Sequence, residues 1–314
     1  MQYFIRLLLG MSLFVAPAIA LATSLFAIGP DNPNATFPVP RELTALSTSG
    51  AAAPVAALSD GSLAFNGGLA FRPATGLDPD RLYGIANDSI GQSTLYSLSL
   101  NGTNLTPVLS LGSGFTGGLA YDPGTDALYA IQTGLSFLSP PSSSLYRIDL
   151  GGSVSMTALG GLGGIYGGGA GGGLTYDAND GMLYGIAWDA LGTPRSLNTI
   201  DPASGSETPL FDLGTGNLAF NGGIAYETTG DFFYGIANDF LANSTLMTFS
   251  LAGAGTYAPS GPSFGQGFLN TGLALAPDLQ PPQPMPEPPL IALMLLGIAA
   301  LGVARLRRGV KVEA

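Results

Sequence analysis

The 314 residues include no cysteine and no histidine. Without histidine, Ser-His-Asp and Cys-His catalysis, imidazole-ligated metals and imidazole acid–base chemistry are excluded together. Without cysteine there is no disulfide, so a folded body must rely on a sizeable apolar core. Charge is scarce as well: Asp, Glu, Lys and Arg make up 10% of the chain, where a typical soluble domain has about a quarter. There is one tryptophan, Trp188. What the chain has in abundance is glycine, 47 residues, among many β-branched and aromatic residues, a composition suited to short strands joined by tight turns.

The charge that exists is unevenly placed. Between Leu21 and Pro284 there are 5 arginines, no lysine and 19 acids, a balance of −14. After Ala304 the sign reverses: Arg305, Arg307, Arg308 and Lys311 face only Glu313. So acidic a body repels phosphate backbones, which argues against nucleic acid as a partner. The same charge keeps an exported protein soluble.

A self-comparison shows internal repeats. GGLAF, GGLAY, GGLTY and GGIAY begin at Gly67, Gly117, Gly172 and Gly222, in steps of 50, 55 and 50 residues. Each is followed by a second motif, at Leu82, Leu128, Leu183 and Phe233 (LYGIA, LYAIQ, LYGIA, FYGIA), and a third, at Leu95, Leu145, Leu197 and Leu246. A weaker fourth element occurs at Thr106, Met156 and Thr208. Each is short, apolar and bounded by turn residues, so each unit reads as four antiparallel strands, a to d. Four strands recurring about every 50 residues predict an all-β fold, a β-propeller. Blades stacked face to face explain strands that are apolar on both sides. Before Gly67 the chain offers b, c and d elements at Leu25, Leu43 and Pro54 and no a. After the fourth unit stands a lone a-like strand, Thr271 to Pro277. Pairing it with the N-terminal blade closes a ring of five, spanning 23–278; six blades or an irregular ring is the alternative. Closure removes exposed sheet edges.

Both ends read as addresses. Arg6 precedes an apolar run, Leu7 to Val15, and A-x-A patterns end at Ala20 and Ala22, the grammar of a signal peptide over 1–22; an uncleaved anchor is the alternative. At the other end comes an expected linker, 279–289, in which PPQPMPEPP favours a stiff, extended spacer. Residues 290–304 are apolar and uncharged, an expected transmembrane helix of roughly 22 Å. The basic tail, 305–314, should stay cytoplasmic. Pro286-Glu287-Pro288, the short apolar helix and the cluster Arg305, Arg307 and Arg308 resemble the PEP-CTERM sorting signal. The resemblance covers only about the last thirty residues. It implies export through the Sec translocon, an inner-membrane-anchored precursor, processing by an exosortase-type membrane protease, and delivery to the cell surface or outside. It also implies a host that makes exopolysaccharide. Met285 before the tripeptide, Pro289 after it and six residues beyond Arg308 depart from the usual pattern.

Chemical motifs in the body are weak. Gly261 to Gly265 fits G-x-S-x-G around Ser263, but a proline precedes the serine and no histidine exists to activate it. Gly167-x-Gly169-x-x-Gly172 fits a dinucleotide fingerprint but leads into a strand rather than a helix N-terminus. Asp122, Asp177 and Glu227 follow strand a, with Asp126, Asp180 and Asp231 in the same turns, where acids ordinarily bond local backbone. Two such acids at the right separation could hydrolyse a glycoside without histidine. The b–c loops vary most, and loops on a rigid scaffold carry binding. Asn87, Asp88, Trp188, Asp189, Asn238 and Asp239 are the candidate ligand-binding face, with Trp188 suited to stacking on a sugar ring. No cofactor or metal is expected, although carbonyls and carboxylates there would suit Ca²⁺. The expectation is a non-catalytic surface or matrix module for carbohydrate or protein. The alternative is a carboxylate-dependent hydrolase or lyase on envelope polysaccharide.

Overall fold

A computed structural model describes residues 24–30, 41–59, 62–136, 139–167, 173–188, 193–213, 218–253, 256–269 and 272–276. All belong to the unit Ala22–Pro277. The expected signal peptide, linker, transmembrane helix and basic tail lie outside the described residues, as do Pro286, Glu287, Pro288, Arg305, Arg307, Arg308 and Asp189. Among the described residues no helix is long and apolar enough to cross a membrane.

Among the described residues, twenty-one strands form five antiparallel sheets. Blade 1 comprises β1 (Ser24–Pro30), β2 (Arg41–Ser47), β3 (Ala52–Ser59) and β21 (Leu273–Ala276). Blade 2 is β4 (Leu69–Arg72), β5 (Arg81–Asn87), β6 (Gln92–Leu98) and β7 (Thr106–Ser113). Blade 3 is β8 (Phe115–Asp122), β9 (Ala127–Ser136), β10 (Ser139–Asp149) and β11 (Ser155–Leu162). Blade 4 is β12 (Leu174–Asp177), β13 (Met182–Trp188), β14 (Pro194–Ile200) and β15 (Glu207–Asp212). Blade 5 is β16 (Ile224–Glu227), β17 (Phe232–Asn238), β18 (Asn243–Phe249) and β19 (Tyr257–Pro259), with β20 (Gly265–Gln266) also on β18. The closing strand pairs as the sequence predicts: β21 lies antiparallel to β1, with Leu273 opposite Ala27 and Ala276 opposite Ser24.

The outer strand of blade 5 has no clear sequence motif and is split into β19 and β20, with Pro259 and Pro262 at the interruption. Proline cannot donate to the ladder, so the edge is where it is tolerated.

Burial falls from the axis outward. The second strands β5, β13 and β17 are buried on both faces along nearly their whole length. The outer strands β3, β7 and β15 are largely exposed. Four inter-blade gaps hold apolar clusters of their own among the described residues. Ile85 and Leu95 meet Leu119 and Leu128 between blades 2 and 3. Tyr129 and Leu145 meet Leu174 and Leu183 between blades 3 and 4. Ile236 and Leu246 meet Leu25 and Leu273 between blades 5 and 1. Each fully buried Leu or Ile contributes about 1.5–3 kcal/mol.

The glycine pairs explain how the ring closes. The inner strands touch in cyclic order, β21 with β4, β4 with β8, β8 with β12, β12 with β16 and β16 with β21. The second glycine of each pair, and Gly272 of the closing strand, sits at that contact. A Cβ on Gly68 would overlap the nitrogen of Leu119. One on Gly118 would meet Leu174, on Gly173 Ile224, on Gly223 Leu273, and on Gly272 Leu69. Five glycines thus allow five backbones to approach one another around the axis.

Candidate functional site

The b–c loop residues have defined local roles. Asn87 ends β5 and is buried. Its Nδ2 donates to Asn66 Oδ1 in the preceding loop, and its Oδ1 accepts from Ser93 Oγ. Ser93 Oγ in turn accepts the backbone N–H of Phe115 at 3.1 Å, at the entry to blade 3. Blade 5 repeats the device: Asn238 bonds Asn221 Oδ1 at 2.6 Å and Ser244 at 2.6 Å, and Ser244 Oγ accepts from Phe268 N. In blade 3, Thr133 and Ser143 hold Tyr166 in the same manner. An amide or hydroxyl at the end of strand b, facing a serine on strand c, therefore locks the chain as it enters the next blade.

Asp88 and Asp239 shape turns. Asp88 Oδ1 accepts from the N–H groups of Ile90 and Gln92 at 3.0 and 2.9 Å. Asp239 Oδ1 does the same for Leu241 and Asn243 at 2.8 and 2.9 Å. The Asn243 amide, aided by these backbone bonds, holds the Asp239 carboxyl below its ordinary range. What these turns present to solvent is apolar: Ile90, Phe240 and Leu241 are exposed. Sequence reasoning missed them; the available signal was an apolar residue between an Asx-turn aspartate and its polar return.

The acids of the a–b turns are likewise engaged. Asp122 accepts from Gly124 N at 2.8 Å and Thr125 Oγ1 at 2.6 Å, Asp177 from Asn179 N at 2.8 Å, and Glu227 from Thr229 N at 3.0 Å. Blade 2 departs from this series, because Arg72 stands where blades 3 and 4 have Asp122 and Asp177. Its guanidinium makes a two-pronged bond to Asp126 of blade 3, at 2.7 and 3.0 Å, and donates to Thr75 Oγ1 at 3.0 Å. The Arg72 bond holds the Asp126 carboxyl below its ordinary range. Burial, then the hydrogen bond to Asp126, pushes the Tyr121 hydroxyl up to about 12. Among the described residues no three acids converge on a metal-sized site.

Blade 4 breaks the pattern. Trp188 occupies the position of Asn87 and Asn238 and lies opposite Pro194, where blades 2, 3 and 5 have a serine. Its indole N–H is buried and has no hydrogen-bond partner among the described residues. An orphan donor of this kind costs about 1–3 kcal/mol unless a water or ligand accepts from it. The aromatic residue entering each blade also changes partners. Phe65 packs on Tyr96 with ring centroids 5.8 Å apart, Phe115 on Tyr146 at 5.1 Å, and Phe220 on Phe249 at 5.7 Å and Tyr257 at 5.4 Å. Tyr166, entering blade 4, meets polar groups instead. Asn198 Nδ2 donates to its hydroxyl at 3.0 Å and to Glu207 Oε1 at 2.6 Å. The other carboxylate oxygen of Glu207 accepts from Gly164 N at 2.9 Å. Burial, reinforced by Glu207, raises the Tyr166 hydroxyl far above its ordinary range, so the phenol stays protonated.

Replacing a ring with Asn198 leaves space. A cleft of about 450 Å³ opens here, lined by Gly164, Trp188, Ser196, Asn198, Ser206 and Glu207 among others. That volume falls within the usual range for small-molecule clefts, roughly 300–1,000 Å³. Among its described lining residues Glu207 is the single carboxylate. Of the described residues proposed from sequence, only Trp188 lines this cleft; Asn198 and Glu207 carried no motif.

No protein-family model matches the chain, and no curated protein matches it. Solved structures do. TolB from Acinetobacter baumannii aligns at 16% identity and a TM-score of 0.49, covering 77% of this chain and 53% of that one. A chain of a nidogen/laminin complex aligns at 15% identity and 0.47, covering 81% and 98%. Hydrazine synthase from Kuenenia stuttgartiensis aligns at 11% and 0.44, covering 76% and 39%. The chain spans about half the length of the Acinetobacter protein. Likeness at this level extends to fold alone, which the five-sheet ring already establishes.

Proposed function

We propose that the protein is an exported, non-catalytic binding module, sorted by a PEP-CTERM tail to the cell surface or extracellular matrix, where its propeller engages carbohydrate or surface protein. The observation that carries this reading is the order of parts: a signal-peptide-like leader, a rigid closed propeller, then Pro286-Glu287-Pro288, an apolar stretch and an arginine cluster. The partners in delivery are the Sec translocon and an exosortase-type protease. Two observations support binding over hydrolysis. The turn acids bond their own backbone. The blade 4 cleft pairs one carboxylate with hydroxyls, an amide and an indole, where a glycosidase would use two acids.

The test is the intact mass of the mature protein from its native host, beside a Glu287→Ala variant. Loss of the leader and of everything beyond the Pro-Glu-Pro region, with the tail retained in the variant, supports exosortase-type sorting. A complete tail in both would overturn it.

A further inference from the structure

We infer that the cleft between blades 3 and 4 is a subsite for a non-anionic saccharide, held by Glu207, Asn198 and Ser206 against the indole of Trp188. This rests on the reading of the propeller as a binding module and specifies where and what it binds. Three features carry it. The first is a local departure from the repeat: at the register position of Asn198, blades 2 and 3 place Tyr96 and Tyr146 against the entering ring and blade 5 places Met247, whereas blade 4 places Asn198 and leaves a cleft. Loss of a packed ring is costly in a repeat that retains it elsewhere, so the vacancy points to an occupant. The second is Trp188 itself, whose side chain forms part of the lining and carries a buried N–H with no partner among the described residues. The third is Glu207. Its two oxygens accept from Asn198 and Gly164 and also engage the Tyr166 hydroxyl, yet a carboxylate has about four acceptor sites. The remainder suit sugar hydroxyls, with charge-assisted strength.

The ligand's charge follows from the same geometry. The salt bridges among the described residues give Glu207 no cationic partner, and the chain as a whole carries −11. A uronate or phosphate in the cleft would face that carboxylate directly. An uncharged sugar offers apolar ring faces to the indole and hydroxyls to Asn198, Ser206 and Glu207.

Trp188 is the only tryptophan, so its emission reports on this cleft alone. The full chain, purified in detergent, is titrated with cellobiose, maltose and diacetylchitobiose, and with digalacturonic acid as the anionic control. The expected result is a saturable change in Trp188 emission with at least one neutral disaccharide and none with the uronate. Glu207→Gln should weaken the neutral sugar about tenfold and narrow its advantage over the uronate. Ser206→Ala, at an exposed position, should weaken it about threefold and carries the test if the first variant does not fold. Cosedimentation of the wild-type chain with host exopolysaccharide runs alongside. Cosedimentation with flat emission up to about 50 mM of every disaccharide places binding elsewhere and overturns the subsite alone. Flat emission without cosedimentation overturns the binding reading too. Titrations unchanged by either variant also overturn the subsite.

Discussion

Blades 5 and 4 are neighbours built on the same repeat, and they treat the end of the second strand differently. In blade 5, Asn238 joins Asn221, Ser244 and the carbonyl of Phe268. In blade 4 the same position is Trp188, opposite Pro194, with an indole N–H that has no partner among the described residues. The first arrangement turns a loop residue into a structural bolt. The second gives up that bolt and places an aromatic wall and a cleft beside Tyr166, Asn198 and Glu207. A repeat fold tolerates this because its remaining gaps keep their own apolar clusters.

The comparison can be broken most severely at the axis, which both blades share. Gly118→Ala places a Cβ 2.7 Å from Leu174 N at a φ of 123°. It should cost about 3 kcal/mol or more and lower Tm by on the order of 10 °C. Gly91, at a φ of 79° with open space around it, is the control, and its alanine variant should cost about 1 kcal/mol. Thermal unfolding followed by circular dichroism separates the two.

The bolt itself comes next. Asn238→Ala should cost about 2–3 kcal/mol, because buried partners lose their bonds. Trp188→Phe should change stability by less than about 1 kcal/mol, since it removes an orphan donor. Urea midpoints at constant m provide the measurement. Equal costs would erase the distinction between the blades.

A smaller effect is expected at the clamp between blades 2 and 3. Arg72→Ala should cost about 2 kcal/mol near neutral pH. The Asp126 carboxyl is depressed, so its contribution is present above the ordinary aspartate range and lost as pH falls through the folded value. Tyr121 is raised to about 12, so its contribution is present below the ordinary tyrosine range and lost as pH climbs toward that value. The difference between wild type and Arg72→Ala should therefore shrink in acid, as read from unfolding curves at pH values spanning the acid limb. A smaller cost than that of Arg72→Ala is expected from Tyr166→Phe, about 1 kcal/mol, the hydroxyl of a tyrosine bonded to Asn198 being replaced by the phenylalanine that blades 2, 3 and 5 use.

Much of the fold was legible because repetition writes it several times. The glycine pairs at Gly67, Gly117, Gly172 and Gly222, the LYGIA-like strands and the solitary Leu273–Ala276 strand led to five blades and to the closing pair with β1. The split outer strand of blade 5 was not legible, since prolines interrupt its pattern. Less of the candidate site could be read. Trp188 stood out as the only one of its kind, whereas Asn198 and Glu207 look like ordinary strand residues. Asn87 and Asn238 invited a ligand-facing reading because they flank turns, yet their amides face inward.

Composition and spacing alone determined the strand-rich class, the blade count, the glycine-lined axis and the exclusion of histidine and cysteine chemistry, because each depends on residue type and period. Only the tertiary structure decided which side chains meet across blade boundaries. Arg72 and Asp126 are 54 residues apart, and Asn198 and Tyr166 are 32 apart. Such pairs are set by how each blade is rotated against the next, and strand periodicity records which face is buried without recording what lies opposite it.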